Sequence, residues 1–497
     1  MLMEKNIREH NIKRSGLKLF GLTYLTFLIF NIITTWWLWY STVFGMFFAI
    51  IVNALLMTLV FFIYHKVALK ARPNIALFFL LVFWISFEKF HLGWDFSWPW
   101  LNLGNGFSGT HKWIQWYEYT GVFGGTLWVW IVNIGIFKVI SNYLKNQNKK
   151  VLLKGLLFNV AIIVLGIYGS LYLYNKEDLK TQDFVNVVVL QPNIDPYTEK
   201  YKISNIETAK NLIAMANSAI DSTTDFIIAP ETTFSKFILR TNYRRTDAYK
   251  MLQAYSNKKD VNIIAGYSFY TIYTSFKQPT TTANRVTNSK NKWYDMYNSA
   301  SYISPNNSPQ IYYKSKLVVG IELFPYKNIL QPIFGESLIN LGGAVTSLGT
   351  QKERDIFTSD NFSAAPIICY ESIYGNFVND YVRNGANFLA VITNDGWWDN
   401  SQGHKQHLML SKLRAIENRR SLARSANTGV SAIINTKGDI VKRLDYGTKG
   451  IIKAKLSLNN KFTFYNRYGD YIARLSQFIS VFLILSVFLR KRSTNAL

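Results

Sequence analysis

The feature that most limits what this chain can become is a set of six long apolar segments, near residues 17–40, 42–64, 75–90, 122–140, 151–174 and 474–489. Each approaches the roughly 20 residues a helix needs to cross a hydrocarbon core. A buried apolar helix of that length has little use in a water-soluble enzyme, so part of the chain is expected to sit in lipid. Its 49% hydrophobic and 16% aromatic content agrees. No cleaved signal peptide is expected at the start, because apolar character runs on through Tyr40 and a second span follows almost at once.

Charge between the segments predicts an orientation, since Lys and Arg are retained on the cytoplasmic side. Lys5, Arg8, Lys13, Arg14 and Lys18 precede the first segment; Lys66, Lys70 and Arg72 follow the second; Lys145, Lys149 and Lys150 follow the fourth; Arg490, Lys491 and Arg492 follow the last. The loop from His91 to Gly121 has Lys112 as its one Lys or Arg and is rich in Trp and Tyr, as an outer interfacial stretch should be. Five spans from a cytoplasmic start put residue 175 outside. The expected organisation is a membrane bundle over 1–174, an extracytoplasmic domain over 175–473, and a last span with a basic tail over 474–497. Glu88 and Lys89 read as a boundary pair at the end of the third span. The formal net charge of +25 points to a membrane surface as partner, because many of the basic residues flank apolar runs. Neither zinc-finger spacing nor an aromatic RNA-binding pattern is present, which argues against nucleic acid.

From Val185 the pattern changes to short β-rich runs alternating with helical ones, as in layered α and β structure. Strands are predicted over 185–193, 225–231, 261–269, 365–371 and 387–395, with helices over about 206–220 and 404–420. Several strands run directly into polar residues: Glu231, then Cys369 with Tyr370 and Glu371, then Asn394 with Asp395. Strand ends hold the backbone rigid while side chains reach a cleft. Cys369 is the sole cysteine, which excludes an intramolecular disulfide and any CxxC metal or redox site. By residue type alone a lone cysteine is more often a small buried hydrophobe. As a nucleophile it needs a base to take its proton and a donor for the oxyanion. His10 and His65 read as cytoplasmic and His91 and His111 border spans, leaving His404 or His407 open as the base of a Cys–His dyad, alongside the carboxylates.

Three motifs then resemble the nitrilase superfamily with its Glu-Lys-Cys triad: PET at 230–232, YYKSKLVVGIELFP at 312–325 and IICYESIYG at 367–375. CYES, with TNDGWW at 393–398, RSANTGVSAI at 424–433 and PWLNLG at 99–104, is similar to the apolipoprotein N-acyltransferase branch. The resemblance implies a multi-pass α-helical membrane domain plus an α/β nitrilase-like α-β-β-α sandwich, in a bacterial inner membrane with the sandwich facing the periplasm. Members of that branch carry eight spans; six are expected here, starting where their third would.

The resemblance also implies roles: Glu231 as general base, Cys369 as nucleophile and Lys314 as oxyanion stabiliser, supported by Glu322, Glu371 and Tyr370. Trp397, Trp398 and Tyr201 would contact substrate. Tyr201 and Tyr197 are the aromatic candidates for a lid position the branch fills with Trp. The implied reaction moves the sn-1 acyl chain of a phospholipid, phosphatidylethanolamine by expectation, through a Cys369 thioester to a diacylated apolipoprotein. No metal or organic cofactor is called for. A membrane-tethered amidase with the same triad and a non-catalytic scaffold are the rival readings. A permease is disfavoured by the scarcity of charge within the spans.

Overall fold

The computed structural model describes residues 1–10, 13–176, 183–326, 329, 347–359 and 361–489. The basic tail Arg490, Lys491 and Arg492 lies outside the described residues. The chain divides into two compact units. The first comprises Met1–Trp36, Phe44–Tyr174 and Tyr468–Leu497, and the second Trp37–Val43 and Asn175–Arg467.

In the first unit, five helices among the described residues are long and apolar enough to cross a membrane: Ser15–Tyr40, Val43–Ala68, Pro73–His91, Val122–Asn146 and Lys149–Lys176. The sixth expected segment is a shorter apolar helix, beginning at Tyr471. Side chains such as Leu25, Ile33, Phe158 and Leu165 project outward, which suits lipid and would be untenable over so large an area in water. The inner faces pack Leu80, Ile85, Phe123, Trp130 and Ala473 into one cluster. This is a membrane protein.

Several polar groups inside this unit pair with one another, as a hydrocarbon surrounding favours. Asn53 donates to Asn31 Oδ1 at 2.7 Å, His91 Nε2 lies 3.2 Å from Asn53 Oδ1, and Trp94 Nε1 donates to His91 Nδ1 at 2.8 Å. The expected Glu88–Lys89 boundary pair is corrected here. Neighbours in a helix point about 100° apart, so one turns inward and the other away. Glu88 is buried and accepts from Trp84 Nε1, the Leu103 N–H and Thr126 Oγ1 at 3.0, 2.9 and 2.7 Å. Lys89 instead pairs with Asp470 at 2.7 Å.

The second unit is built on fourteen strands among the described residues: β1 (Phe184–Gln191), β2 (Phe226–Ile228), β3 (Phe234–Leu239), β4 (Asn262–Thr274), β5 (Asn284–Arg285), β6 (Lys292–Ile303), β7 (Gln310–Tyr313), β8 (Phe357–Thr358), β9 (Ser363–Ile368), β10 (Phe388–Thr393), β11 (Leu422–Ala426), β12 (Ser431–Ile434), β13 (Ile440–Leu444) and β14 (Gly450–Ser457). One sheet runs β14-β1-β2-β4-β6-β5, with β3 on β4 and β7 on β6; the other runs β13-β12-β11-β10-β9-β8. The central strands β1, β2 and β4 pair in parallel, as do β9, β10 and β11. Strands buried on both faces carry continuous apolar runs instead of alternation, and VVVL at 187–190 is buried at every position. Val188 and Leu190 pack against Ala209, Leu212 and Leu252 of the helices Asn205–Asn217 and Asp247–Lys259. The sheets join through Ser425 Oγ donating to Leu190 O at 2.8 Å and the Ser431 N–H to Gln191 Oε1 at 2.9 Å. Helices Gly375–Arg383 and Gln402–Asn418 belong to the second sheet's layer. The result is the expected α-β-β-α sandwich.

The candidate active site

Each of the three motif residues sits just past a strand. Glu231 follows β2 in a turn whose next residue, Thr232, has a left-handed φ of 46°. The turn lies directly on Gly266 of β4: a Cβ there would fall 2.3 Å from Thr232 N and 2.7 Å from Glu231 Cα. Lys314 follows β7, its N–H donating to Asn298 O of β6 at 2.8 Å. Cys369 follows β9 and opens a short 3-10 turn, Cys369–Ile373, with φ 48°. That left-handed conformation is strained for a side chain with a Cβ, and two bonds brace it. Glu371 reaches back to the Ile368 N–H at 2.8 Å, and Ser372 Oγ donates to Cys369 O at 2.7 Å.

The charged groups form a closed array in which Glu231 and Lys314 are buried. Lys314 Nζ lies 3.0 Å from Glu231 Oε1 and 2.9 Å from Glu322 Oε2. Asn298 Nδ2 donates to Glu231 Oε1 and Glu322 Oε1 at 2.7 and 2.9 Å. The Asn394 N–H completes Glu231 at 3.1 Å through Oε2, and the Val318 N–H holds Glu322 at 2.9 Å. Burial works to raise the Glu231 carboxyl, but Lys314, Asn298 and Lys200 outweigh it and hold it below the ordinary range. Lys314 is pushed the other way: burial opposes its charge, yet Glu231 and Glu322 keep it firmly an ammonium. Burial and the negative charge of Glu231 push the Cys369 thiol up, against the opposing pull of Lys314. A thiol so placed stays protonated at rest and must lose its proton as it attacks.

Glu371 does not touch this array. Its Oε1 accepts from Tyr312 Oη at 2.6 Å and the Ser315 N–H at 2.7 Å, so it ties the Cys369 turn to the chain beside Lys314. Tyr370 is buried, edge-on to Tyr374 with ring centroids 5.3 Å apart. Trp397 meets Tyr197 edge to face at 5.0 Å, and Trp398 meets Trp37 and His407 at 5.2 and 5.4 Å. Tyr201 is half exposed beside Lys200.

Sequence reasoning missed Lys200, Asn298 and Arg424, and with Arg424 the partner of Asp395. Lys200, buried, donates to Glu231 O at 3.3 Å and to Thr232 Oγ1; burial lowers its pKa to about 8. Its only signal was a lysine soon after QPN. Asn298, in the middle of β6, had no local signal. Asp395 and Arg424 lie within the quoted TNDGWW and RSANTGVSAI runs, but their pairing, Arg424 Nη2 to Asp395 Oδ2 at 2.6 Å, is tertiary. His407, left open as a base, lies with Nδ1 3.0 Å from Asp395 Oδ1 and Nε2 3.2 Å from Cys369 O.

Donor atoms of Cys369, Asp395 and His407 lie within 4.8 Å of one another, a spacing that suits a metal ion. The Arg424 guanidinium neutralises Asp395 there and approaches His407 Nδ1 to 3.0 Å, so a second cation would meet strong repulsion.

A buried thiol at a strand end, faced by a Glu-Lys-Glu array on paired sheets between helices, defines an enzyme that opens acyl or amide carbon centres. The chain belongs to the carbon-nitrogen hydrolase family, whose model matches residues 186–460. Residues 9–135 match the apolipoprotein N-acyltransferase N-terminal domain. An apolipoprotein N-acyltransferase of Chlorobaculum tepidum is 27% identical over 482 residues, covering 95% of this chain and 88% of that protein. Apolipoprotein N-acyltransferase 2 of Treponema denticola is 26% identical over 449 residues, covering 87% and 80%. Among solved structures, Nit3 of Saccharomyces cerevisiae, a member of branch 10 of the nitrilase superfamily, aligns with a TM-score of 0.39 at 14% identity over 59% of this chain and 95% of that one.

Proposed function

We propose that this protein transfers an acyl chain from a membrane phospholipid to the N-terminal amine of a diacylglyceryl-cysteine lipoprotein, through a thioester on Cys369. The observation that carries this reading is the Glu231–Lys314–Glu322 array around the buried Cys369 thiol, in a chain whose N-terminal part matches the acyltransferase membrane domain.

Glu231 takes the thiol proton as the sulfur attacks the sn-1 ester carbonyl. Lys314, together with the backbone N–H of Tyr370 next to Cys369 in sequence, offsets the charge that develops on the carbonyl oxygen. Glu322 and Asn298 keep the lysine and the base in register. The tetrahedral intermediate collapses; the sn-1 oxygen leaves with the proton from Glu231 as a lysophospholipid. The α-amine of the acceptor then attacks the thioester, gives its proton to Glu231, and the thiol is restored. Phosphatidylethanolamine is the expected donor, and the catalytic domain is expected on the periplasmic side of the inner membrane. A membrane domain suits two lipid substrates, since exposing an acyl chain to water costs ~0.8 kcal/mol per CH₂.

The test is incubation of the detergent-purified protein with phospholipid labelled in the sn-1 chain, followed by mass spectrometry of the Cys369 peptide. A hydroxylamine-sensitive adduct, absent in Cys369→Ser and Glu231→Ala and discharged by a diacylglyceryl peptide, supports the reading. Discharge by water alone at the same rate would make the protein a lipid-directed hydrolase instead.

A further inference from the structure

His407 is wholly buried in the helix Gln402–Asn418, and both of its ring nitrogens are engaged. On one side, Nδ1 lies 3.0 Å from Asp395 Oδ1 and 3.0 Å from Arg424 Nη2. Asp395 and Arg424 are themselves fully buried and paired at 2.6 Å. They are further fixed by Thr393 Oγ1 donating to Asp395 at 2.8 Å and by Arg424 Nη1 donating to Ser411 Oγ at 3.1 Å. On the other side, Nε2 lies 2.9 Å from Ser372 Oγ and 3.2 Å from the carbonyl oxygen of Cys369.

The groups around Nε2 set its role. Ser372 uses its hydroxyl hydrogen on Cys369 O, so its oxygen can only accept from the ring, and a carbonyl can only accept. Nε2 therefore carries the proton. Burial and Arg424 disfavour a second one, against the pull of Asp395, and Nδ1 sits between the Arg424 donor and the Asp395 carboxylate, each 3.0 Å away. With its N–H directed at Cys369 O, Nε2 offers no lone pair on the Cys369 side, and Nδ1 is engaged by Arg424 and Asp395.

We propose that His407 is a positioning residue for the nucleophile: it carries the rigidity of the buried Asp395–Arg424 pair to the Cys369 carbonyl and so holds the left-handed turn that presents the sulfur. Cys369 is a non-glycine residue at φ 48°. Such a conformation persists only where its surroundings impose it, and the orientation of the carbonyl is what a donor can impose. A buried histidine that merely fills space would need no contact with the nucleophile's own peptide group. This inference deepens the acyl-transfer reading and rests on it for the role of Cys369.

The experiment uses the full-length protein in detergent and two isosteres. In His407→Gln the amide nitrogen reaches the Nε2 position and can still donate to Cys369 O; in His407→Asn it reaches only the Nδ1 position. The readouts are the rate of Cys369 alkylation by iodoacetamide, the rate of acyl-thioester formation, and the melting temperature. His407→Asn is expected to lose about 10²-fold in both rates, the scale of a misplaced reacting group. His407→Gln should retain most of each rate at a similar melting temperature. Wild-type rates in His407→Asn, or an equal loss in His407→Gln, overturn the proposal. Should His407→Asn fail to fold, Ser372→Ala removes the hydroxyl that links Nε2 to Cys369 O, and is expected to slow alkylation several-fold; an unchanged rate there overturns it too. Alkylation needs no acyl donor. If wild type forms no thioester while the order of alkylation rates holds, the acyl-transfer reading falls and this one stands.

Discussion

The Asn298 amide nitrogen lies 2.7 Å from Glu231 Oε1 and holds that carboxylate to Glu322 through a second bond of 2.9 Å. One neutral donor is thus shared between the buried Glu231 and the partly buried Glu322, on either side of Lys314. Without it, burial would act on Glu231 with one opposing partner fewer. The Glu231 carboxyl is held below its ordinary value of 4.5. It is therefore ionised throughout the neutral range, and the stability it contributes is lost only as pH falls through its depressed folded value. Asn298→Leu is expected to raise that value, so that the acid limb of Cys369 acylation moves to higher pH and the rate at neutrality falls roughly 10–10²-fold, equivalent to the ~1.5–3 kcal/mol of a charged hydrogen bond. A pH–rate profile of thioester formation checks it; an unmoved acid limb removes Asn298 from the account.

Gly266 is where the fold leaves the base no slack. A Cβ at this position would meet the backbone of Glu231 and Thr232, at 2.3 Å for Thr232 N, and backbone held between two strands cannot swing aside as a flexible side chain can. Gly266→Ala should cost about 1–3 kcal/mol by overpacking and lower acylation far more than the melting temperature suggests, because the displaced group is Glu231 itself. Equal activity per folded molecule in variant and wild type would contradict this.

The strand ends that carry Glu231, Cys369 and Asp395 were legible because a buried apolar run stopping at an ionisable residue is a local pattern. The membrane helices were legible for the same reason, length and hydropathy being properties of one segment. What escaped was convergent. Asn298 belongs to β6, whose sequence KWYDMYNSASYI is too polar to read as a central strand, yet NSASYI is buried, with Asn298 Nδ2, Ser301 and Tyr302 meeting partners from elsewhere, as Tyr243 Oη meets Ser301 Oγ at 2.9 Å. Glu88 was misjudged for a related reason. Its neighbour in sequence was the visible partner, while its real ones, Leu103 and Thr126, lie on segments that only folding brings near. The same holds for His407: a histidine in an amphipathic helix gives no hint that its far nitrogen touches the Cys369 carbonyl.

Glu371 supplies a prediction about stability. Four groups donate to it, from Tyr312, Ser315, Ile368 and Tyr381, yet burial dominates and pushes its carboxyl from 4.5 up to about 7. The folded state then binds a proton that the unfolded chain has released. The contribution is fully present below pH 4.5 and is lost as pH rises through about 7, a span worth on the order of 3 kcal/mol. Wild-type melting temperature should decline over that window. Glu371→Gln, which cannot titrate, should flatten this part of the decline and melt lower at acid pH, because its NH₂ meets N–H donors where an oxygen had accepted. Parallel pH curves for the two proteins would show that Glu371 keeps an ordinary carboxyl.

Glu88 offers the corresponding test in the membrane unit. It gathers three donors from three segments: Trp84 one turn back on its own helix, the Leu103 N–H in the aromatic loop, and Thr126 in the helix Val122–Asn146. Thr126 Oγ1 in turn accepts from the Gly104 N–H at 3.1 Å, so one carboxylate fixes both Leu103 and Gly104 of the PWLNLG stretch. Removing it strands donors in a surrounding that offers no water, at about 1–3 kcal/mol for each group left unpaired. Glu88→Ala should therefore lower the melting temperature in detergent and open residues 99–113 to limited proteolysis. Glu88→Gln, which keeps one acceptor oxygen, should fall between the two. If Glu88→Ala melts with wild type and the loop stays protected, the loop is held by its own contacts, such as Asn105 Nδ2 donating to Pro99 O at 2.9 Å, and the buried carboxylate must be explained by something other than architecture.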